Sequence, residues 1–269
     1  MVLGARPLPA QREAPAVAVQ RGWRVNADAA VRVYLPAGRL TVSAWDRDSV
    51  HLAGTLGANA ALFGGGAAPH VKVGVEARSR TDATLPSAQL VVHVPRRARL
   101  WIKMIDGDLE VSGTRVEVEA YTVRGHVSVR DVEGSTTVES IDAPVTLTGA
   151  SGDIRIRGSR AQVALARVTA IATISTVSGT VTLQASPIEG RIETVGGAIT
   201  VDAVRAGGSL TLQTHAGDIV LSLPASARPR LALWSRGGAV RDAGPPGNAR
   251  HGSIEARSFK GNVTVRARP

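Results

Sequence analysis

The sequence predicts an all-β protein built as a parallel β-helix, a β-solenoid with about 18 residues per coil and capped ends. Three observations lead to this prediction. A nine-residue phrase recurs between residues 98 and 223, with a small residue first, aliphatic residues at its third and fifth positions and usually one more apolar residue among the last four. Equivalent copies of the phrase recur at a constant spacing of about 18 residues, with few exceptions. No segment shows the 3.6-residue apolar period of an α-helix, so we expect almost no helix.

The equivalent copies align into columns. They open at Gly107, Gly125, Ala143, Ala161, Gly179, Gly197 and Gly217. Their third positions are Leu109, Val127, Val145, Val163, Val181, Ile199 and Ile219, and their fifth are Val111, Val129, Leu147, Leu165, Leu183, Val201 and Leu221. Alternate side chains of a strand share a face, so these aliphatic columns predict the interior. The column between them, mostly polar, predicts an outer face: Glu110, Ser128, Thr146, Ala164, Thr182, Thr200 and Val220. Two strands per coil, with coils about 4.8 Å apart, fit this pattern. A three-sided coil of about 27 residues fits the nine-residue unit as well.

The chain divides into four parts by composition and period. Residues 1–21 are rich in Ala and Pro and predict a disordered linker or tail. Residues 22–97 contain strand-like segments and predict an N-terminal β cap, with a glycine-rich surface loop at 54–69. Residues 98–223 are the solenoid repeats, and residues 224–269 predict a C-terminal β cap. Caps are expected because an open sheet end would invite aggregation.

The composition excludes several kinds of site and segment. The chain has no cysteine, which excludes disulfides and thiolate metal sites. No apolar run reaches the length of about 18 residues that a membrane-spanning helix needs, so we expect no transmembrane segment. The net charge of +10 comes almost entirely from arginine, which fits either an anionic partner or a solvated surface in a protein from a GC-rich genome.

Several segments resemble the bacterial "putative-adhesin" family of β-helical envelope proteins, a family of unknown function. The resemblance is carried by the segments 42–50, 92–100, 223–231 and 257–263 and by the Gly-Asp-Ile-like repeats, and it covers nearly all of the chain after residue 21. It implies a parallel β-helix, no known catalytic residues, and a place in the cell envelope, periplasmic or extracellular. No signal peptide is visible, so a cytoplasmic location remains the alternative.

No catalytic residue, metal site or cofactor is expected. The Gly-Asp corners, such as Gly107-Asp108, suit turn chemistry, and the equivalent column supplies too few oxygens for Ca²⁺. His126 follows Asp108 by one coil, but no serine or second carboxylate joins them as a nucleophile or an acid. We therefore expect a non-enzymatic, adhesin-like interaction module. The alternatives are a polysaccharide-active β-helix enzyme and a self-assembling scaffold.

One basic band is the candidate binding site: Arg155, Arg157, Arg160 and Arg167. An exposed row of arginines suits an anionic envelope polymer or an acidic protein, although a solvated face is the simpler interpretation. Nucleic acid is not expected, because it favours basic residues interleaved with exposed aromatics, and only Trp101 and Trp234 look outward by phase. The oligomeric state and the handedness are left open.

Overall fold

The structure, a computed structural model, describes residues 17–79, 81, 83–202, 208–224, 228–243 and 247–268. Within these ranges it contains no α-helix, only a short 3₁₀ turn at Ala249–His251. None of the described helical segments has the length and apolarity needed to cross a bilayer. The strands, numbered in chain order, are β1 (Val17–Arg24), β2 (Ala30–Trp45), β3 (Ser49–Leu56), β4 (Ala60–Ala67), β5 (His70–Ala77), β6 (Ser87–Pro95), β7 (Arg99–Ser112), β8 (Glu117–Thr122), β9 (Arg124–Arg130), β10 (Glu133–Ser140), β11 (Val145–Thr148), β12 (Ser151–Gly158), β13 (Val163–Ala166), β14 (Thr169–Thr176), β15 (Val181–Gln184), β16 (Ile188–Thr194), β17 (Ile199–Asp202), β18 (Ser209–Thr214), β19 (Ile219–Pro224), β20 (Arg230–Ser235), β21 (Val240–Asp242), β22 (Ser253–Ser258) and β23 (Val263–Arg268).

The strands stack in parallel into a two-sided solenoid, which confirms the predicted fold class. Its wide sheet runs, in spatial order, through β5, the first half of β2, the first half of β7, β8, β10, β12, β14, β16, β18, β22 and β20. Its narrow sheet runs through β6, the second halves of β2 and β7, β9, β11, β13, β15, β17, β19, β23 and β21.

The register confirms the shorter coil, of about 18 residues. Val127 pairs with Val145 and Val145 with Val163, so successive members of the predicted columns are neighbours in space. Val145 and Leu147 are buried, whereas Thr146 between them is exposed. The alternative three-sided coil would have paired different strands, so the two-sided interpretation holds.

At both ends the coils are not stacked in chain order. Strand β2 lies between β7 and the coil formed by β5 and β6, although β5 and β6 follow it in sequence. Strands β22 and β23 likewise lie between the last repeat coil and the earlier strands β20 and β21. Parallel coils therefore continue into both segments that the sequence predicted as caps.

The N-terminal end is covered by antiparallel strands. Strand β3 pairs antiparallel with β6, β1 pairs with β3, and β4 pairs with β5. The predicted surface loop at 54–69 is therefore wrong for most of its length, because β4 is a paired strand. Its glycines suit close packing: a side chain at Gly64 would press on the Trp23 ring, 3.1 Å from Cζ2. Strand β1 also begins inside the predicted tail, at Val17, whereas residues 1–16 lie outside the described residues.

A column of buried hydroxyls links the wide sheet to the narrow sheet. Each member is a Thr or Ser at the last inward position of a wide-sheet strand, buried except for the half-buried Ser235, and β12 has Gly158 at this position instead. Thr214 Oγ1 accepts a hydrogen bond from the amide of Gly217 at 3.0 Å and donates to the carbonyl of Gly197, one coil away, at 3.2 Å. Ser258 repeats both bonds, to Gly261 and Gly217. A Cβ at Gly217 would collide with the Gly197 carbonyl oxygen, which is why this corner requires glycine there. We call this set the hydroxyl column: Thr122, Ser140, Thr176, Thr194, Thr214, Ser258 and Ser235.

Candidate functional site

The structure brings together only part of the predicted arginine band. Arg155 and Arg157 point outward from β12 on the wide sheet, and Arg160 lies in the turn that follows. Arg167 lies in the opposite corner, between β13 and β14. It precedes Thr173, the register partner of Arg155, by six residues, or about 20 Å of extended chain. Arg167 is therefore separate from the other three.

Two of the four arginines already have carboxylate partners. Arg160 donates to both oxygens of Asp142, at 2.7 and 2.5 Å. These hydrogen bonds hold the pKa of the Asp142 carboxyl below its usual value. Arg157 lies 3.5 Å from Glu139. Neither Arg155 nor Arg167 has an ion-pair partner among the described residues, so Arg155 is the unpaired cation of the three that lie together.

A second basic cluster, which the sequence did not reveal, lies on the wide sheet near the N-terminal end. Its cations and aromatic rings lie side by side in two neighbouring outward columns. Arg32 is the register partner of both Lys72 and Trp101, and Lys103 lies between Tyr34 and Tyr121. We call this set the aromatic–basic patch: Arg32, Tyr34, Lys72, Trp101, Lys103 and Tyr121.

Two of the three rings of the patch, Trp101 and Tyr121, are held in place by neighbouring groups. The Trp101 and Tyr121 ring centroids are 5.7 Å apart with planes at 44°. The Tyr121 hydroxyl donates to Glu119 at 3.2 Å. Partial desolvation raises the pKa of the Tyr121 phenol, and the charge of Glu119 raises it further. The phenol therefore stays neutral near physiological pH, and its ring remains an uncharged stacking surface.

The cations of the patch are not neutralised by carboxylates, although the Lys72 ammonium lies over the Phe63 ring, 5.8 Å from its centroid. Among the described residues, none of Arg32, Lys72 and Lys103 has a carboxylate within ion-pairing distance, and all three are exposed. A shallow pocket opens between Arg32, Tyr34, Lys72 and Trp101. Exposed unpaired cations beside ring faces can bind anionic groups carried on a flat or ring-shaped ligand.

The alternation of residues in β2 does predict that Arg32 and Tyr34 face outward, because they alternate with the inward residues Val31, Val33 and Leu35. Their neighbours could not be inferred, because the out-of-order position of β2 is what brings Lys72 and Trp101 to either side of Arg32.

The Asp108–His126 pair does form. His126 Nδ1 lies 3.2 Å from one Asp108 oxygen, and Arg39 Nη2 lies 3.2 Å from the other. All three side chains are exposed to solvent, so the pair is one contact in a row of surface contacts across coils. Within the described residues no group of three His, Asp or Glu side chains is placed to hold a metal ion.

A serine–histidine contact lies on the narrow sheet at the N-terminal end. Ser43 Oγ is 2.8 Å from His93 Nδ1, and the His93 ring stacks on Trp45 with centroids 5.1 Å apart. His51 lies beside both rings, with its centroid 6.3 Å from that of His93 and 6.2 Å from that of Trp45. A catalytic histidine needs a third group, usually a carboxylate, to orient it. The described residues place none against His93, so packing between rings accounts for its position.

Comparison with known sequences assigns the chain to a family. The Toastrack DUF4097 family matches residues 58–242, which is more than half of the chain. The chain belongs to the Toastrack DUF4097 family. This match confirms the family resemblance drawn from the sequence, and the Toastrack region includes both the repeat coils and much of the aromatic–basic patch.

Two crystal structures of similar proteins were found. One, described as a putative adhesin from Bacteroides fragilis, is 13% identical, with 97% of this chain and 99% of that chain covered and a TM-score of 0.48. The other, described as a putative cell adhesion protein from Clostridium sporogenes, is 10% identical, with 94% and 100% covered and a TM-score of 0.29. At these values neither likeness indicates what this Toastrack protein binds. Comparison with curated proteins gives no significant match.

Proposed function

We propose that the protein is a non-enzymatic, adhesin-like module of the bacterial envelope, periplasmic or extracellular, that holds an anionic envelope polysaccharide against its wide sheet. The observation that carries this proposal is the aromatic–basic patch: three unpaired cations interleaved with three aromatic rings on neighbouring coils. Trp, Tyr and Arg are the residues that most often dominate binding energy at protein surfaces.

The solenoid fixes the spacing of these groups. Successive coils are about 4.8 Å apart, so the rings and cations form a rigid row along the rod. A rigid site loses little side-chain entropy on binding. Sugar rings can lie on Trp101 and Tyr34, while the carboxylates of an acidic polysaccharide meet Arg32 and Lys72.

The patch is favoured over the arginine band because of its free charges. Arg157 and Arg160 are already close to Glu139 and Asp142, so a polymer would have to displace those carboxylates. Arg155 has no such partner among the described residues and lies three coils from Trp101 in the same outward column. It can extend the binding row, and its contribution should be smaller than that of the patch.

An acidic polysaccharide fits better than a nucleic acid. Basic residues interleaved with aromatics also occur at surfaces that bind single-stranded nucleic acid. However, Glu119 and Glu139 border the patch on the side of the repeats, and Glu119 is the register partner of Trp101. A ligand with a phosphate at every unit would be repelled there, whereas an alternating neutral and acidic glycan can place its neutral sugars beside the glutamates.

The test is a calorimetric titration of the protein with a soluble uronic-acid polysaccharide at low salt. We expect saturable binding that weakens as salt rises, because exposed charges are screened within about 8 Å at physiological ionic strength. Trp101→Ala should weaken binding about tenfold, a loss typical of an aromatic anchor. Arg155→Ser should weaken it less.

The matched control is Trp234→Ala, which removes an exposed tryptophan from the far end of the same sheet. Equal losses for Trp101→Ala and Trp234→Ala would contradict the assignment of the patch. Tighter binding of a single-stranded oligonucleotide than of the polysaccharide would overturn the choice of ligand. Progressive shortening of the polysaccharide would instead identify an enzyme.

A further inference from the structure

An apolar ridge runs along the corner beside the wide sheet. Its members are the residues that directly follow the last inward position of each wide-sheet strand, so they stack one per coil. Ile141 is 49% exposed and Val177 and Val195 are each 52% exposed. Most of the ridge is apolar, which is unusual for an exposed corner of a monomer. In spatial order it consists of Val123, Ile141, Ser159, Val177, Val195, His215, Phe259 and Arg236.

A charged row runs parallel to the ridge. It is formed by the last outward residue of each wide-sheet strand from β7 to β20 in spatial order, and each member is the register partner of the next. In spatial order it reads Lys103, Tyr121, Glu139, Arg157, Ser175, Glu193, Gln213, Arg257 and Trp234. Two grooves lie between row and ridge, one from Lys103 to Val177 and one from Ser175 to Phe259.

The charged row can pair with the same row of a second, antiparallel copy when the two rows are centred on Ser175. Arg157 lies one coil to one side of Ser175 and Glu193 one coil to the other. A second copy that lies antiparallel, related by a two-fold axis through Ser175, therefore places its Glu193 opposite Arg157, and this contact occurs twice.

The outer positions match as well. Three coils from Ser175, Tyr121 meets Arg257 of the second copy, and four coils away Lys103 meets Trp234 of the second copy. Both are pairs of a cation with an aromatic ring. If the rows met in the same direction, each charge would face its own copy and be repelled.

The ridge is consistent with the same axis. Val177 lies at the centre and meets its own copy. Val123 then meets Phe259 of the second copy, and Ser159 meets Val195. Apolar side chains that are half-exposed in one chain are thereby covered, and closed two-fold dimers are the commonest oligomers of soluble proteins.

We propose that the protein forms an antiparallel homodimer through the apolar ridge and the charged row, with its two-fold axis at Ser175 and Val177. This inference goes beyond the proposed function. Lys103 and Tyr121 of the aromatic–basic patch lie at the edge of the interface, whereas Arg32, Tyr34, Lys72 and Trp101 lie outside it. The dimer therefore presents these four residues as a polymer-binding site towards each end of a longer rod. Two linked sites raise avidity without any new contact.

The ion pairs that Arg157 and Glu193 make within one chain do not prevent them from pairing with the second copy. Arg157 is 3.5 Å from Glu139, and Glu193 is 2.9 Å from Arg191, with all four side chains well exposed. Exposed pairs of this kind contribute about 0–1 kcal/mol, so they yield readily to a desolvated contact.

The test is sedimentation velocity over a concentration series of the whole chain. Wild-type protein should shift from monomer to dimer as concentration rises. Arg157→Glu and Glu193→Arg should each weaken the dimer at least tenfold, because each places two like-charged contacts in the interface. Arg167→Glu makes the same charge change in the opposite corner of the solenoid, outside the interface, and should leave dimerisation unchanged.

Mixing the two single variants gives the sharpest outcome. Within each variant both contacts are repulsive, but between the variants both become a Glu–Arg pair. An equimolar mixture should therefore form a heterodimer that neither variant forms alone. The double variant Arg157→Glu with Glu193→Arg should dimerise like wild type. A mixture that stays monomeric, or a wild-type protein that stays monomeric at its highest soluble concentration, would overturn the proposal.

Because the chain has no cysteine, a cross-link can place the axis independently. Val177→Cys should form a disulfide-linked dimer under mild oxidation, since the two copies of residue 177 face each other. Val195→Cys, equally exposed but one coil from the axis, should not. The reverse result would place the axis elsewhere and contradict the pairing of Arg157 with Glu193.

Discussion

Leu147→Ala is expected to lower the free energy of unfolding by about 2–5 kcal/mol, through lost burial and the cavity it leaves. Leu147 is fully buried, and its register neighbours Val129 and Leu165 are buried above and below it. Strands above and below are held by the backbone ladder, so the coil cannot collapse onto the gap. Denaturant unfolding monitored by circular dichroism measures the loss.

Thr146→Ala is the matched control. Thr146 is the next residue on the same strand and faces solvent. Its replacement should change stability by less than about 0.5 kcal/mol. Equal losses for the two variants would mean that the inward and outward columns have been assigned to the wrong faces.

Thr214→Val should be nearly as damaging, although it keeps the size and shape of the side chain. The Thr214 hydroxyl satisfies the amide of Gly217 and the carbonyl of Gly197, and its residue is 3% exposed. Valine leaves both backbone groups without this partner at a corner that water barely reaches. A buried polar group left unsatisfied costs about 1–3 kcal/mol.

Thr173→Val is the control that shows whether the loss of stability comes from the buried position of the hydroxyl or from the Thr-to-Val change itself. Thr173 is exposed on the outer face of β14, and the substitution makes the same chemical change. We expect its effect on unfolding to lie within about 0.5 kcal/mol. A Thr214→Val protein as stable as wild type would show that the hydroxyl column does not support the corner.

The period of the repeat, the two aliphatic columns and the outward column could be predicted from the sequence, because a strand's faces follow from alternation alone. The order of coils at the two ends could not. Nothing local in β2 indicates that β5 and β6 will stack on its outer edge, since that choice depends on which coil best covers the open end. The glycine-rich strand β4 was missed for a related reason: its Gly64 packs against Trp23, which is distant in sequence.

The candidate site divides in the same way. The sequence identified Arg155, Arg157 and Arg160 as outward cations on or beside one strand. It could not show that Asp142 and Glu139 come from the preceding coil to meet two of them. The hydroxyl column did leave a signal, a Ser or Thr three residues before the small residue, as in Thr194-Val-Gly-Gly197 and Thr214-His-Ala-Gly217. This signal can be interpreted only when it is known that the Ser or Thr and the small residue flank a buried corner.

The central claim, that the aromatic–basic patch holds an acidic polysaccharide, is tested most directly by hydroxyl-radical footprinting of the free and polymer-bound protein. Both Trp101 and Tyr34 are partly exposed and should lose reactivity when the polymer binds. Trp234, 47% exposed at the far end of the same sheet, should keep its reactivity at concentrations where the protein is monomeric. Protection of Trp234 with Trp101 and Tyr34 unchanged would contradict the account.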